Sequence, residues 1–281
     1  MTILEDTPLA HAHARVADRN PDIITFERFG KTFPVKQGSV QATRDIDLGV
    51  AAGEFITLVG PSGCGKSTLL NAAAGLFAPT EGRVTYRGKP VAGYNTAVGY
   101  MTQSDHLLPW RDVVGNISVP LEIKRLSKSQ INARVSELIE LVGLKGFEQS
   151  YPSQVSGGMR KRVALARLLA YDPETLLMDE PFGALDAQLR LGLQIQLRKL
   201  CLSLNKTVLF VTHDIDEAIA LADRCVVFTP RPGTVKQIID VDLPRDRDLM
   251  KLRHNQRYTQ LTAEIWDHLA PALSAQNYGD H

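Results

Sequence analysis

The chain has 281 residues, 44% of them apolar and 22% charged, with a formal net charge of +1. That is ordinary globular composition, with length for one large domain or two small ones. It excludes a global basic field built for DNA or RNA.

Residues 1–22 hold no basic start followed by an apolar run, so they do not read as a secretory signal. A flexible, solvated tail is expected there, His11 and His13 included. ITFERFGKTF from Ile24 predicts a strand with a turn, and GSVQATRDIDLGV from Gly38 a loop and a second strand. EFITLVG, from Glu54, is a short apolar run bounded by glycines, which suits a buried strand. It feeds a glycine loop and a helix from Lys66 to about Gly75. APTEG is a turn, RVTYRG an edge-type strand, and AVGYM another buried strand running to Gln103. The longest apolar stretch, around Leu69 to Ala78, falls far short of the ~20 residues that cross a membrane.

Between about 104 and 172 the pattern turns helical. Ser127 can cap a helix in which Ile131, Val135, Leu138, Ile139 and Val142 recur at three and four, and another helix follows Ser156. Strands then alternate with helices again: TLLMDEP, a helix from Leu185 to Leu204, TVLFVTHD, a short helix in DEAIALAD, then CVVFTP and TVKQIIDV. A helix is expected from about Asp246 to Leu269, ahead of a polar end. The chain so divides into a tail (1–22), a β/α domain (23–245) with its helical insert, and a C-terminal helix and tail (246–281). Cys64, Cys201 and Cys225 stand far apart without metal spacing, as three reduced thiols of a cytosolic protein do.

GPSGCGKST, from Gly60 to Thr68, matches GxxxxGK[ST] in full, between an apolar strand and a helix. Gly63 and Gly65 let the backbone turn its N–H groups around a phosphate. Lys66 brings a charge for the β/γ oxygens, Ser67 a hydroxyl for Mg2+ and Thr68 a donor for the α-phosphate. Cys64 is expected to be a small side chain at a tolerant position. TLLMDEP ends in two acids at the strand's carboxyl end, where parallel sheets collect ligands. There Asp179 is placed to hold Mg2+ and Glu180 to act as general base toward water. Gln103 and His213 end strands on the same side; Gln103 can reach the metal or the water, and His213 a γ-phosphate. QVSGGMRKR, from Gln154, looks like a second anion-holding helix start, which one domain does not need for one phosphate chain.

Taken in order, Gly60–Thr68, Gln103, Ser156-Gly157-Gly158, Asp179-Glu180, Leu185-Asp186 and His213 resemble an ATP-binding cassette (ABC) ATPase over about Ile24 to Val241. The resemblance implies an α/β P-loop NTPase core, an antiparallel β subdomain and a helical insert subdomain. It implies that two cassettes pair head to tail. Gly60, Pro61, Ser62, Gly63, Cys64, Gly65, Lys66, Ser67 and Thr68 then hold ATP, while Ser156, Gly157 and Gly158 meet the ATP of the partner. Asp186 crosses the interface, and Phe33, or less readily Phe29, stacks on adenine. The signature departs from LSGGQ: Val155 keeps an apolar anchor, and Met159 replaces the glutamine. SGGM followed by Arg, with DHLLPWRDVVGNISVPL from Asp105, is similar to the nitrate/sulfonate/taurine importer branch. LLPW there resembles a loop facing the membrane subunits; a buried hydrophobic corner is the other reading.

The resemblance implies an ATPase peripheral to the cytoplasmic face of the cell membrane. Its implied partners are a second copy, two permease subunits and a periplasmic substrate-binding protein, with no nucleic acid. The sequence leaves no room for the long regulatory β-domain of sugar-importer ATPases. A soluble ABC ATPase on DNA or ribosomes is the alternative, but no long coiled-coil insertion or second cassette is present. A P-loop kinase would not need the SGG helix, and a GTPase would want an NKxD-type guanine reader, which is missing.

Overall fold

The computed structural model describes residues 21–183 and 185–277, with side chains as far as 271. The expected N-terminal tail lies outside the described residues except for its last two positions, and Asp22 already opens a strand.

A six-stranded sheet forms the centre. Its strands are β3 (Phe55–Val59), β6 (Val98–Met101), β7 (Thr175–Asp179), β8 (Thr207–Val211), β9 (Arg224–Phe228) and β10 (Val235–Asp240). Their order is β10-β9-β3-β8-β7-β6; all neighbours are parallel except the edge pair β9–β10. Every residue of β3, β7 and β8 is buried, as two covered faces require. The strand period of two sorts them. Phe55 and Val59, Leu176 and Met178, Val208 and Phe210 join one core; Ile56 and Leu58, Leu177, Leu209 and Val211 join the other.

The first core is closed by α2 (Val113–Ile123), α3 (Lys128–Leu141), α4 (Gly157–Tyr171), α5 (Ala187–Ser203), α6 (Ile215–Leu221) and α7 (Gln256–Asn277). The second is closed by α1 (Lys66–Ala73) and an antiparallel sheet of order β2-β1-β4-β5. That sheet comprises β1 (Asp22–Val35), β2 (Gly38–Ala51), β4 (Glu81–Tyr86) and the short β5 (Lys89–Pro90).

Two elements depart from the sequence reading. Residues 113–123, within the stretch expected to be mostly helical but not singled out as a helix, form α2, capped by Asp112 accepting the Gly115 N–H at 2.7 Å. The C-terminal helix starts at Gln256 rather than near Asp246, because Arg247 is buried in the core and Arg245 is tied across the surface. Arg245 reaches the Gly53 carbonyl and Asp223, and Arg247 the Ala220 carbonyl. Asn255 then caps α7 by accepting the Tyr258 N–H at 3.1 Å.

Candidate nucleotide site

The loop between β3 and α1 bends at Gly60 (φ 156°), Gly63 (φ 74°) and Gly65 (φ 97°), with Gly65 as the helix N-cap. These are left-handed angles that a side chain resists. Ser62 and Gly63 form the exposed crest, and a Cβ at Gly63 would meet open space. Behind the loop the fit is tight. A Cβ at Gly65 would strike Thr43, and one at Gly233 would overlap the Cys64 carbonyl. Gly233 is itself laced to β2 through the Ala42 carbonyl at 2.9 Å and the Arg44 N–H at 3.0 Å.

Lys66 is only 7% exposed. Its ammonium curls into the loop and donates to the carbonyls of Gly60 (2.8 Å) and Pro61 (2.9 Å). Thr68 is buried one turn into the helix. Cys64 does not sit at a tolerant position. Its side chain is fully buried, its sulfur 3.2 Å from where a Gly60 Cβ would stand, and burial pushes its thiol pKa up against the pull of Lys66. The other two cysteines are buried free thiols as well.

One strand, β8, lies between the loop strand β3 and the acid-bearing β7. Two strand spacings, roughly 10 Å, therefore separate their backbones, and the side chains close the gap. Asp179 is 4% exposed; burial raises its pKa, partly opposed by the neighbouring Ser67 hydroxyl and by Lys66 and Lys161. Glu180 takes a left-handed backbone (φ 49°), held by its N–H to the Val211 carbonyl at 3.0 Å. Its carboxylate accepts from Gln103 Nε2 at 3.3 Å and lies 3.6 Å from His213 Nδ1. Ser67, Asp179, Glu180, Gln103 and His213 thus meet in one cluster.

Sequence reasoning missed Lys161 of α4, which donates to the Gln103 carbonyl. Burial lowers its pKa, opposed by Asp105, Asp179 and Glu180. Its neighbours finish the bracing. Arg160 pairs with Asp105 at 3.1 Å, and Arg167 donates to the Asp105 (2.9 Å) and His106 (3.0 Å) carbonyls. Arg160 and Lys161, in the basic run after SGGM, carried part of the signal, but not the loop that they grip, and Arg167 lies outside that run.

Other expected residues stand apart from the cluster. Ser156 is exposed and caps α4, accepting the Met159 N–H at 3.3 Å; Gly157 and Gly158 are the first helical residues. Val155 is buried and Met159 packs partly on the core. Asp186 caps α5, accepting the Leu189 N–H at 3.0 Å. Phe33 is half-buried, edge-on to Phe77 (5.3 Å, 89°), and pairs with Val40 three residues from Thr43. Phe29 is fully buried against Phe26, so it is core and drops out as a base-stacking candidate.

Trp110 is 71% exposed, which overturns the buried-corner reading for that residue, although Leu107 packs partly on the core. Nearby a groove of about 280 Å3 opens between β6, α2 and α4, lined among others by Met101, Asp105, Val119, Ile123, Arg167 and Tyr171. Among the described residues no helix is long and apolar enough to cross a membrane.

Residues 43–183 match the ABC transporter family. This chain belongs to that family. The aliphatic sulfonates import ATP-binding protein SsuB of Bacillus licheniformis is 45% identical over 77% of this chain and 84% of its own length. The nitrate import ATP-binding protein NrtD of Synechococcus elongatus is 42% identical over 89% and 92%. The solved dimeric structure of the ATP-binding cassette MJ0796, in a post-hydrolysis state bound to ADP and Pi, superposes with a TM-score of 0.73. It is 30% identical and covers 79% of this chain and 100% of that one. The ABC reading thus stands over the kinase and GTPase readings. The protein is an ATP-binding ABC subunit whose ATPase activity is coupled to transport. The donor set fits the nucleotide: a glycine loop open at its crest, an ammonium within it, and hydroxyl and carboxylate oxygens opposite.

Proposed function

We propose that this cassette energises uptake of a small anion such as nitrate, a sulfonate or taurine. It works as a homodimer on the cytoplasmic face of the cell membrane, with two permease subunits and a periplasmic substrate-binding protein. Residues 23–245 are the ATPase domain, 104–172 its insert and 246–281 an appended helix and tail. The observation that carries the reading is the Glu180 carboxylate, which accepts from Gln103 and lies 3.6 Å from His213, next to buried Asp179.

Gly60 through Thr68 wrap the phosphates, and Phe33 supports adenine. Ser67, Asp179 and Gln103 are the hard oxygen donors that would hold Mg2+, which when bound neutralises phosphate charge. Glu180 accepts the proton of the attacking water, and His213 and Gln103 fix the carboxylate's aim. Ser156, Gly157 and Gly158 face the nucleotide held by the second copy, and Asp186 crosses between the copies. ATP contacts both copies only when they are closed, so its differential affinity favours closure; hydrolysis removes that bias. The groove lined by Thr102, Asp105 and exposed Ile123 receives a helix of each permease, with exposed Trp110 offering a further contact.

Trp110→Ala tests the importer half of this reading. In vesicles carrying the permeases it is expected to reduce anion uptake, while the chain alone binds and hydrolyses ATP as before. Lost nucleotide binding would instead assign Trp110 to the fold.

A further inference from the structure

We propose that Arg190 is a positioning residue that ties the turn ending in Asp186 to the loop carrying His213. It does so through α5, keeping the two in register. The proposal rests on the reading of His213 and Asp186 as parts of the ATPase site.

The guanidinium of Arg190 spans the two segments. Its Nη2 donates to the Leu185 carbonyl at 2.9 Å, one residue before Asp186. Its Nη1 lies 3.4 Å from the carboxylate of Asp214, one residue after His213. Asp214 is also the N-cap of α6, accepting the Glu217 N–H at 3.1 Å. It cannot swing away without giving up that cap.

One turn along α5, on the same helix face, Gln194 Nε2 donates to Glu217 at 2.8 Å. Glu217 accepts the hydroxyl of Thr212 on its other oxygen, and that hydroxyl oxygen accepts the Asp214 N–H at 3.0 Å. His213 is therefore held at both flanks: Thr212 through Glu217 and Gln194, Asp214 through Arg190. The imidazole is 66% exposed, so the backbone that carries it largely sets its aim at Glu180.

A cavity of about 20 Å3 lies among Glu180, Arg190, Thr212, His213, Asp214 and Glu217. That volume accommodates one water in polar surroundings. Arg190 Nε is buried without a hydrogen-bond partner, and a water in the cavity would complete it. A planar five-donor fork can serve a carbonyl, a carboxylate and a water together; a lysine cannot do so with the same geometry.

The test compares histidine side-chain NMR spectra of the nucleotide-free full chain, with the His213 signal identified by its loss in His213→Ala. Arg190→Met and Asp214→Asn are both expected to shift or broaden that signal; asparagine retains the cap. In turnover, Arg190→Met is expected to lower kcat about tenfold, a coupling-sized loss, with KM for ATP within about twofold. The double variant is expected to lose no more than the worse single, and Arg190→Lys to fall between parent and Arg190→Met. An unmoved His213 signal in both variants, additive losses, or a loss carried by KM alone would overturn the proposal. If Arg190→Met does not fold, the Asp214→Asn spectrum decides. A parent chain without ATPase activity would count against the proposed function, whereas the nucleotide-free spectra would still decide the role of Arg190.

Discussion

Two glycine-bearing helix starts in this cassette are finished in opposite ways. At α1 the N-cap is a left-handed glycine with no side-chain cap, and the loop closes around a lysine that is 7% exposed. Its support comes from behind, where Ala42, Thr43 and Gly233 crowd it. At α4 the N-cap is an exposed serine whose hydroxyl serves its own helix, and Arg160, Lys161 and Arg167 hold the helix to residues 103–106. Both ends present N–H groups and a positive dipole. The first turns them into a pocket of its own chain; the second braces them from the flank and presents them outward. A pocket suits the whole phosphate chain, and an exposed braced edge suits the far side of a nucleotide held by another copy.

The comparison breaks most sharply at Glu180, which belongs to the pocket alone. Glu180→Gln is expected to slow phosphate release by ~10²–10⁴ while retaining ATP, since the amide can still pair but cannot take a proton. With hydrolysis blocked, ATP should hold two copies together on size-exclusion chromatography. Hydrolysis at the native rate would remove Glu180 as the base.

Next in size is the pair of substitutions that disables each helix start separately. Lys66→Ala removes a charged donor and is expected to weaken ATP binding by roughly 10–100-fold in calorimetry. Ser156→Arg is expected to leave binding to the chain's own loop nearly intact but to stop turnover. Mixing the two inactive chains gives a dimer with one intact composite site, in which the Lys66 loop of one chain faces the Ser156 helix of the other. Some activity is expected to return. If none returns while each variant still dimerises, the two starts do not complete one another.

Much of this was legible in the residues. Apolar runs marked β3, β7 and β8 because a parallel sheet covered on both faces needs no polar alternation. The phosphate loop and the acids after β7 announced themselves by spacing. What stayed hidden was contact across distance. Gly233 lies in an unremarkable RPGT turn, and only the fold brings it against Cys64. Arg190 stands four residues after Asp186, as surface charges often do, and its tie to Asp214 requires α5 and α6 to be neighbours. Phe29 and Phe33 were separable only once register showed which ring faces the core. The start of α2 was missed because Gly115 and Pro120 weaken a helical pattern that the Asp112 cap and tertiary packing sustain.

The smallest expected effects concern the glycines, and they separate the two starts by sign. A methyl at Gly233 would overlap the Cys64 carbonyl, so Gly233→Ala must push back either the loop or β2. Overpacking of that kind costs about 1–3 kcal/mol, and the melting temperature is expected to fall by several degrees together with ATP affinity. At Gly157 the nearest atom to an added Cβ is the end of the Arg160 side chain at 3.7 Å, and the residue is helical. Gly157→Ala is therefore expected to leave melting unchanged or raise it slightly, by up to ~1 kcal/mol of stability. It is still expected to reduce turnover if, as proposed, Gly157 faces the nucleotide of the second copy. Stability kept while turnover falls places the function of Gly157 outside its own chain. If Gly157→Ala keeps full turnover as well, α4 opens with glycine for some reason other than close approach.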